Sequence, residues 1–285
     1  MEVQEELKLI LINSGFAVHN ADWNWENISS PFFRIYLVGE GQAKIIINGI
    51  KYVLLPGHMY LIPPFTTHTD CSDGHFSLYY THIYEDLRNK ISIFDQIICP
   101  VQIEACSLDE LLFKRLLEIN PFCNLKKYDP SSYDNDMNLM HSIAVNTHLP
   151  FFKQVETNGI LFQLFSKFLL LAQRRDLNQD NRILKVLCYI YKNIDKKILI
   201  KDLASQCYMS DDHFIRLFKQ KLNATPITYI NQKKIEKAQL MLLIKNVAIK
   251  DIAYSLSFEN VSYFNRIFKL KVGKTPMEYK SEFSS

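Results

Sequence analysis

The sequence predicts an α+β chain of two domains. An N-terminal β-barrel with flanking helices is followed by an all-α region in which two helical hairpins are joined by a long helix. Three observations carry this. β-rich runs broken by turn dipeptides fill the stretch from Phe32 to Tyr84. One unit of about fifty residues occurs twice near the C-terminus. Charge is segregated, with 19 Lys+Arg against 9 Asp+Glu from Arg182 to Ser285 and 14 against 21 from Met1 to Asn181.

Composition excludes several classes. At 285 residues, 48% hydrophobic and 22% charged, the chain can bury a core and is neither disordered nor collagen-like. No apolar run reaches the ~20 residues that span a bilayer. The acidic start, Met1-Glu2-Val3-Gln4-Glu5-Glu6, does not read as a secretory signal, so a cytoplasmic location without membrane attachment is expected. Six scattered Cys without a Cys-x-x-Cys pair read as reduced packing thiols.

In the N-terminal half, Arg34–Val38, Ala43–Asn48, Met59–Ile62 and Phe76–Tyr84 read as strands. Gly39-x-Gly41, Asn48-Gly49, Pro56-Gly57 and Pro63-Pro64 punctuate them, and Asn48-Gly49 is a hairpin signal. Short strands at this spacing suggest a jelly-roll barrel. Alternation places Arg34, Tyr36 and Val38 on one face of their strand, and Phe76, Leu78, Tyr80, His82 and Tyr84 on one face of theirs. Pointed inward, these faces let Arg34, Tyr36, Tyr80 and His82 line an effector pocket; otherwise they are plain core. Trp23 and Trp25 either cover such a pocket or staple an N-terminal arm to the barrel.

The next segments are helical and polar by turns. Leu111, Leu112 and Leu116 predict a helix over 108–119, and the Asp/Asn/Pro/Tyr-rich stretch 120–138 predicts a loop. A long helix is predicted from Phe151 to Arg175, with a stripe of Ile160, Leu161, Leu164, Phe165, Phe168, Leu169 and Leu171 that serves either a dimer or burial against the barrel. Polar residues 176–181 are the expected linker, which sets domains of 1–175 and 182–285.

In the C-terminal half, Ile200-Lys201-Asp202-Leu203-Ala204 returns as Ile249-Lys250-Asp251-Ile252-Ala253 at an offset of 49. Ser210–Lys219 (SDDHFIRLFK) returns as Asn260–Lys269 (NVSYFNRIFK) at an offset of 50, so the second turn carries one extra residue. Ser210 and Asn260 fit N-caps. Phe214, Leu217 and Phe218, matched by Phe264, Ile267 and Phe268, form buried faces at helical spacing. The opposite faces carry Asp212, Ile215, Arg216 and Lys219, and Val261, Ser262, Asn265, Arg266 and Lys269. An apolar face pinned to a core with an Arg-bearing face outside is what a major-groove helix requires. Thr225-Pro226 opens a connecting helix running to about Lys245; ~20 residues at ~1.5 Å each span ~30 Å. That approaches the ~34 Å of one DNA turn.

These motifs resemble the DNA-binding region of the AraC/XylS family of transcription regulators. They include Asp202-Leu203-Ala204, Arg216-Leu217-Phe218-Lys219, Asp251-Ile252-Ala253, Phe258-Glu259-Asn260, Ser262–Lys269 and Gly273-x-Thr275-Pro276-x-x-Tyr279. The sequence departs from the pattern at Ser257 and Asn223, where the family typically has Gly, at Lys234, where it usually has Arg, and at Tyr279-Lys280, where it often ends Tyr-Arg. The stretch Leu55–His68 resembles the second motif of cupins, with Gly57, Pro63 and His68 at the cupin spacing. Cupin enzymes take metal ligands from a first motif containing His-x-His and a carboxylate. The matching strand, Ile45-Ile46-Ile47-Asn48, has no imidazole, so neither metal nor cofactor is expected, and His68 is placed at the barrel mouth as a hydrogen-bonding pocket residue.

The resemblance implies a non-enzymatic, sequence-specific DNA-binding regulator, an activator by expectation. A cupin-like N-terminal domain would bind a small-molecule effector, mediate homodimerisation, or do both, and RNA polymerase is a further expected partner. Base contacts are carried over to Asp212, Ile215, Arg216, Val261, Ser262, Asn265 and Arg266, and phosphate contacts to Ser210, Lys219, Asn260 and Lys269. The alternative is a cupin metalloenzyme with an accessory helical domain, in which His58, His75 and His82 would have to approach His68.

Overall fold

A computed structural model describes residues 7–87, 91–133, 142, 145, 149–174, 181–244 and 247–282. Contacts divide the chain into two compact units. The first comprises the residues up to Asp86 and Cys99–Ala172; the second comprises Leu87–Ile98 and the residues from Gln173 onward. A single crossing at 176–181 was expected. Instead a twelve-residue piece from the N-terminal half belongs to the helical unit, and 176–180 lie outside the described residues.

The first unit holds two antiparallel sheets. Strands β1 (Leu9–Asn20), β8 (His75–Glu85), β3 (Phe33–Gly41), β6 (His58–Ile62) and β10 (Gln102–Glu104) form one, in the order β1-β8-β3-β6-β10. Strands β2 (Trp25–Ile28), β7 (His68–Cys71), β4 (Ala43–Ile47) and β5 (Ile50–Leu54) form the other, in the order β2-β7-β4-β5. The Asn48-Gly49 hairpin pairs Ile47 with Ile50, with φ of 51° and 78° at the two turn residues, as a two-residue primed turn requires. The long strand β1 escaped the sequence reading because its LILIN start is apolar on both faces and lacks alternation.

Tyr36, Val38, Ile45, Ile47, Tyr60, Phe76, Leu78 and Tyr80 share one buried cluster between the sheets. The other face of β3 and β8 is covered by helices: Phe33 meets Phe165 at 5.1 Å between ring centroids, and Tyr79 meets Phe113 at 5.8 Å. Phe113 lies on α2 (Ser107–Ile119), after the turn α1 (Ile93–Gln96), and Phe165 lies on α4 (Phe151–Leu170), after the turn α3 (Pro130–Tyr133). The stripe Ile160, Leu161, Leu164, Phe165 and Phe168 is therefore buried within its own unit. The helix also stops at Leu170, five residues earlier than expected, because Gln173-Arg174 form a strand (β11) paired with Ile97-Ile98 (β9).

The second unit is helical: α5 (Asn181–Lys192), α6 (Ile200–Gln206), α7 (Asp211–Leu222), α8 (Pro226–Ile244), α9 (Ile249–Ser255), α10 (Val261–Val272) and α11 (Pro276–Glu282). It holds two cores. Ile183, Val186, Leu187 and Ile190 pack with Leu203, Ala204, Phe214 and Phe218. Ile252, Ala253, Phe258, Phe264, Phe268 and Tyr279 form the other. The connecting helix α8 serves both, giving Tyr229 and Ile230 to the first and Ile235, Ala238 and Leu242 to the second. Helix α8 is apolar on a face that turns along its length, since each half addresses a different core.

Candidate nucleic-acid interface and effector cleft

The second helices of the two hairpins, α7 and α10, are built alike. Ser210 Oγ accepts from His213 N at 3.4 Å and Asn260 Oδ1 from Tyr263 N at 2.7 Å, so both start at a side-chain cap. Each is pinned by two buried Phe rings, Phe214 and Phe218 at 5.6 Å, Phe264 and Phe268 at 5.7 Å. Each ends in a left-handed residue, Asn223 with φ 54° and Gly273 with φ 84°, whose N–H closes on Lys219 or Lys269 O. The turns before them also match: Met209 N donates to Ala204 O at 3.1 Å and Phe258 N to Ala253 O at 3.0 Å. Because Tyr208 (φ 57°) and Ser257 (φ 52°) occupy the same bend, the extra residue of the second copy is Glu259.

Of the residues expected to read bases, Asp212, Arg216, Ser262 and Arg266 are exposed, whereas Ile215, Val261 and Asn265 are half-buried. Ile215 and Val261 lean on the two cores, and Asn265 turns its Oδ1 inward without a partner. Arg216 Nε reaches Asp212 O at 3.4 Å, and the Arg266 guanidinium lies 5.3 Å from the Tyr263 ring centroid. The expected phosphate contacts Ser210, Lys219, Asn260 and Lys269 are all exposed. His213 and Tyr263, equivalent in the repeat, were missed; the three-residue spacing of Tyr263 and Arg266 on one helix was the available signal.

In the first unit, register brings the expected pocket residues together. Arg34 pairs with His82 and Tyr36 with Tyr80 across β3 and β8. Tyr36, Tyr80 and His82 line a narrow cleft with His19, Trp23 and Tyr133, with a cavity volume of about 20 Å³. Trp23 stands edge-on to Tyr36 at 6.1 Å, whereas Trp25 lies in β2 opposite Asp70. Tyr80 Oη donates to Asn124 Oδ1 at 2.6 Å and accepts from Leu125 N at 2.9 Å. Gly15 stands opposite Tyr80, where a Cβ would come within 2.2 Å of that hydroxyl. Only a residue without a side chain lets the hydroxyl reach its loop partners.

Arg34 and His68 lie outside this lining. Arg34 Nη2 donates to Ser30 Oγ at 2.6 Å and the guanidinium sits 4.8 Å from the Phe32 ring centroid. His68 is not a loop residue at the mouth; it opens β7, is 2% exposed, and its Nδ1 donates to Thr66 O at 3.0 Å. Its Nε2 is 3.8 Å from Asp70 Oδ1, and neither atom has a hydrogen-bond partner among the described residues. Burial, aided by the Arg34 charge, lowers His68 to about 3, whereas burial raises Asp70 to about 7 against the opposing pull of Arg34. His82, stacked on Phe32 at 4.9 Å, is held well below its usual value by burial and then by Arg34.

Because the folded pKa of Asp70 is raised, its contribution to stability is full below about 4, the ordinary carboxyl value, and is lost as pH rises through about 7. Asp70→Asn is expected to stabilise the protein at pH 8 by more than ~1 kcal/mol, since each unit of displacement corresponds to ~1.4 kcal/mol. Thermal melts at pH 5 and pH 8 check this; equal pH dependence in both proteins would refute it.

Among the described residues no group of three His, Cys, Asp or Glu is placed to hold a metal. His58 Nδ1 is bound to Pro56 O and His75 Nδ1 to Asn20 Oδ1. Nor is any described helix long and apolar enough to cross a membrane.

A helix-turn-helix domain model matches residues 203–282, the stretch holding both hairpins. The chain is 30% identical over 264 residues to YfiF of Bacillus subtilis, an uncharacterized HTH-type transcriptional regulator, covering 88% of this chain and 77% of that protein. The chain belongs to the AraC/XylS family of transcription regulators. It is a DNA-binding transcription regulator. The Msm operon regulatory protein of Streptococcus mutans is 21% identical across 89% of this chain and 85% of its own length. AdaA of Bacillus subtilis, a bifunctional transcriptional activator and DNA repair enzyme, is 37% identical over 32% of this chain and 44% of its own length. ToxT from Vibrio cholerae shares the fold, with a TM-score of 0.54, 15% identity and coverage of 96% of this chain and 100% of that one.

Within the AraC/XylS pattern, the departures noted in the sequence are accommodated locally. Ser257 and Asn223 both take the left-handed conformation that Gly would adopt without strain. Lys234, where the family usually has Arg, is buried against the Phe258 ring at 5.4 Å, with its Nζ 3.4 Å from Ser257 O. Burial lowers its pKa.

Proposed function

We propose that this regulator is an activator controlled from its barrel. Residues Asp212, Ile215, Arg216, Val261, Ser262, Asn265 and Arg266 read bases, and Ser210, Lys219, Asn260 and Lys269 hold phosphates of duplex DNA. The observation that carries the reading is the duplicated helix with a capped start, two buried Phe on one face and an exposed Arg on the other. Arg donates bidentately to guanine O6 and N7, and the capped N-terminus at Ser210 or Asn260 and the exposed Lys219 or Lys269 in the last turn each suit phosphate.

The cleft lined by Tyr36, Tyr80 and His82 is the effector site in this reading, with Arg34 and His68 behind its wall. Aromatic faces with hydroxyls at their edges suit a small apolar molecule with a polar rim, and the narrow cleft must widen to admit it. A homodimer is supported by apolar side chains left outside the first unit, chiefly Phe151, Phe152 and Val155 on α4 and Leu108 and Leu111 on α2. The protein acts in the cytoplasm, meets RNA polymerase at the promoter and carries out no chemistry. In this division the barrel with its helices senses, and the helical unit binds DNA.

The test is a selection of duplexes from a random pool by the full-length protein, followed by titration of the recovered sequence at several salt concentrations. Lys219→Ala is expected to weaken every sequence alike and to reduce the salt slope by about one. Unchanged affinity and slope would remove Lys219 from the interface.

A further inference from the structure

Helix α8 changes cores at its middle. Tyr229 and Ile230 pack in the core of the first helix-turn-helix and Ile235 in that of the second, so the residues between them lie where the relative orientation of the two helix-turn-helix motifs is set. Three contacts converge there. Lys234 approaches the carbonyl of Ser257 in the second turn. Ser257 Oγ donates to Asp195 O at 2.6 Å, tying that turn to the chain just ahead of the first helix-turn-helix. The third contact comes from far away in sequence: Lys233 Nζ lies 2.8 Å from Asp95 Oδ1.

Asp95 sits on the turn α1, within the piece Leu87–Ile98 that the helical unit takes from the N-terminal half. That piece is held at several points. Ile91 packs on the first core, Ser92 caps α1 by accepting from Phe94 N at 3.2 Å, and Ile97-Ile98 pair with Gln173-Arg174. Tyr191 of α5 donates its hydroxyl to Asp95 Oδ2. Lys233 is enclosed by Asp95 and by Glu236 Oε2 at 2.8 Å, with the rings of Tyr191 and Tyr229 at 5.7 and 5.5 Å. Its side chain is 11% exposed, so removing Asp95 leaves a largely buried cation with Glu236 alone.

We propose that Asp95 is a positioning residue for DNA binding, acting through Lys233 to hold helix α8 so that both helix-turn-helix units engage one duplex together. Two reading units on one rigid helix bind more tightly than either alone only while their spacing matches the DNA, so a small change of angle at the joint costs joint binding and spares single-unit binding.

The inference rests on the DNA-reading assignment above, and its test separates the two. A duplex of about 30 bp selected from a random pool by the unaltered full-length protein is compared with two duplexes of about 15 bp, each covering one unit's contacts. Asp95→Asn is expected to weaken the long duplex by about tenfold and each short duplex by less than twofold, with an unchanged salt slope on the short ones. Lys233→Met should do the same, and the double variant should be no worse than either single change. Equal weakening of all three duplexes by a folded Asp95→Asn protein would overturn the proposal; should Asp95→Asn alone not fold, the double variant, which removes both charges, carries the comparison. If Arg216→Ala weakens the long duplex and Asp95→Asn leaves it unchanged, only the role of Asp95 fails. If Arg216→Ala has no effect either, the reading helices themselves are misassigned.

Discussion

Replacing Phe264 by Ala is expected to destabilise the second helix-turn-helix by ~3–5 kcal/mol, the usual cost of deleting a buried ring. Phe264 is fully buried between Phe258 at 5.1 Å and Phe268 at 5.7 Å, and Phe268 meets Tyr279 at 5.5 Å, so the vacated volume cannot be refilled without moving three aromatic neighbours. The chain of rings also fixes α10 against α11, so the face carrying Arg266 loses its support. Chemical denaturation of the full-length protein should show the helical unit unfolding at lower denaturant. The first unit, with its separate core, should keep its own transition. Phe214→Ala is the matched experiment in the first repeat. A change below ~1 kcal/mol in both would mean that these cores are not the rigid backing of the reading faces.

Arg216→Ala and Arg266→Ala carry the second large effect. Each is expected to lose ~1–3 kcal/mol of discrimination at one position of the selected sequence while leaving the other positions intact. The two should differ in detail. Arg266 lies over the Tyr263 ring, whose hydroxyl accepts from Asn231 Nδ2 of α8 at 3.2 Å, so its guanidinium is preorganised. Arg216 has only a weak return to its own helix backbone at Asp212 O. Arg266→Lys should therefore show most of the loss seen with Arg266→Ala, because Lys keeps the charge but neither the planar stacking nor the bidentate fork. Repeating the selection with each variant and comparing base preferences checks this. Preferences identical to those of the unaltered protein would place the arginines outside the bases.

How much of this was legible beforehand differs between the two halves for a physical reason. Helical periodicity, caps and turn residues are local, and the repeat doubled every local signal. Ser210, Asn260, Thr225 and the buried Phe pairs thus stand where spacing alone placed them. Thr275 shows the same economy, accepting from Glu278 N at 3.2 Å while Glu278 Oε2 accepts from Thr275 N at 2.7 Å. The half-burial of Ile215, Val261 and Asn265 was not legible. A residue at the edge of an apolar stripe faces either way until the neighbouring helix is in place.

In the barrel, alternation set which side chains share a face, and register did the rest. Nothing in either strand alone says that Arg34 stands opposite His82, or that Tyr80 meets a loop asparagine forty-four residues on. His68 was read as a mouth residue from its place, with Gly57 and Pro63, at the cupin-like spacing. The sheet instead buries it beside Asp70, and the low dielectric there pushes their two pKa values in opposite directions.

By itself the sequence determined the class of the molecule, the duplicated helix with its caps, and the strands β3, β4, β6 and β8, because each depends on residues within a few turns of one another. Only the tertiary structure decided which chain segments share a core. It assigned Leu87–Ile98 to the helical unit and set Asp95 against Lys233, residues 138 positions apart. Such a pairing leaves no periodic trace, since a buried cation takes whichever carboxylate the packed elements bring within reach.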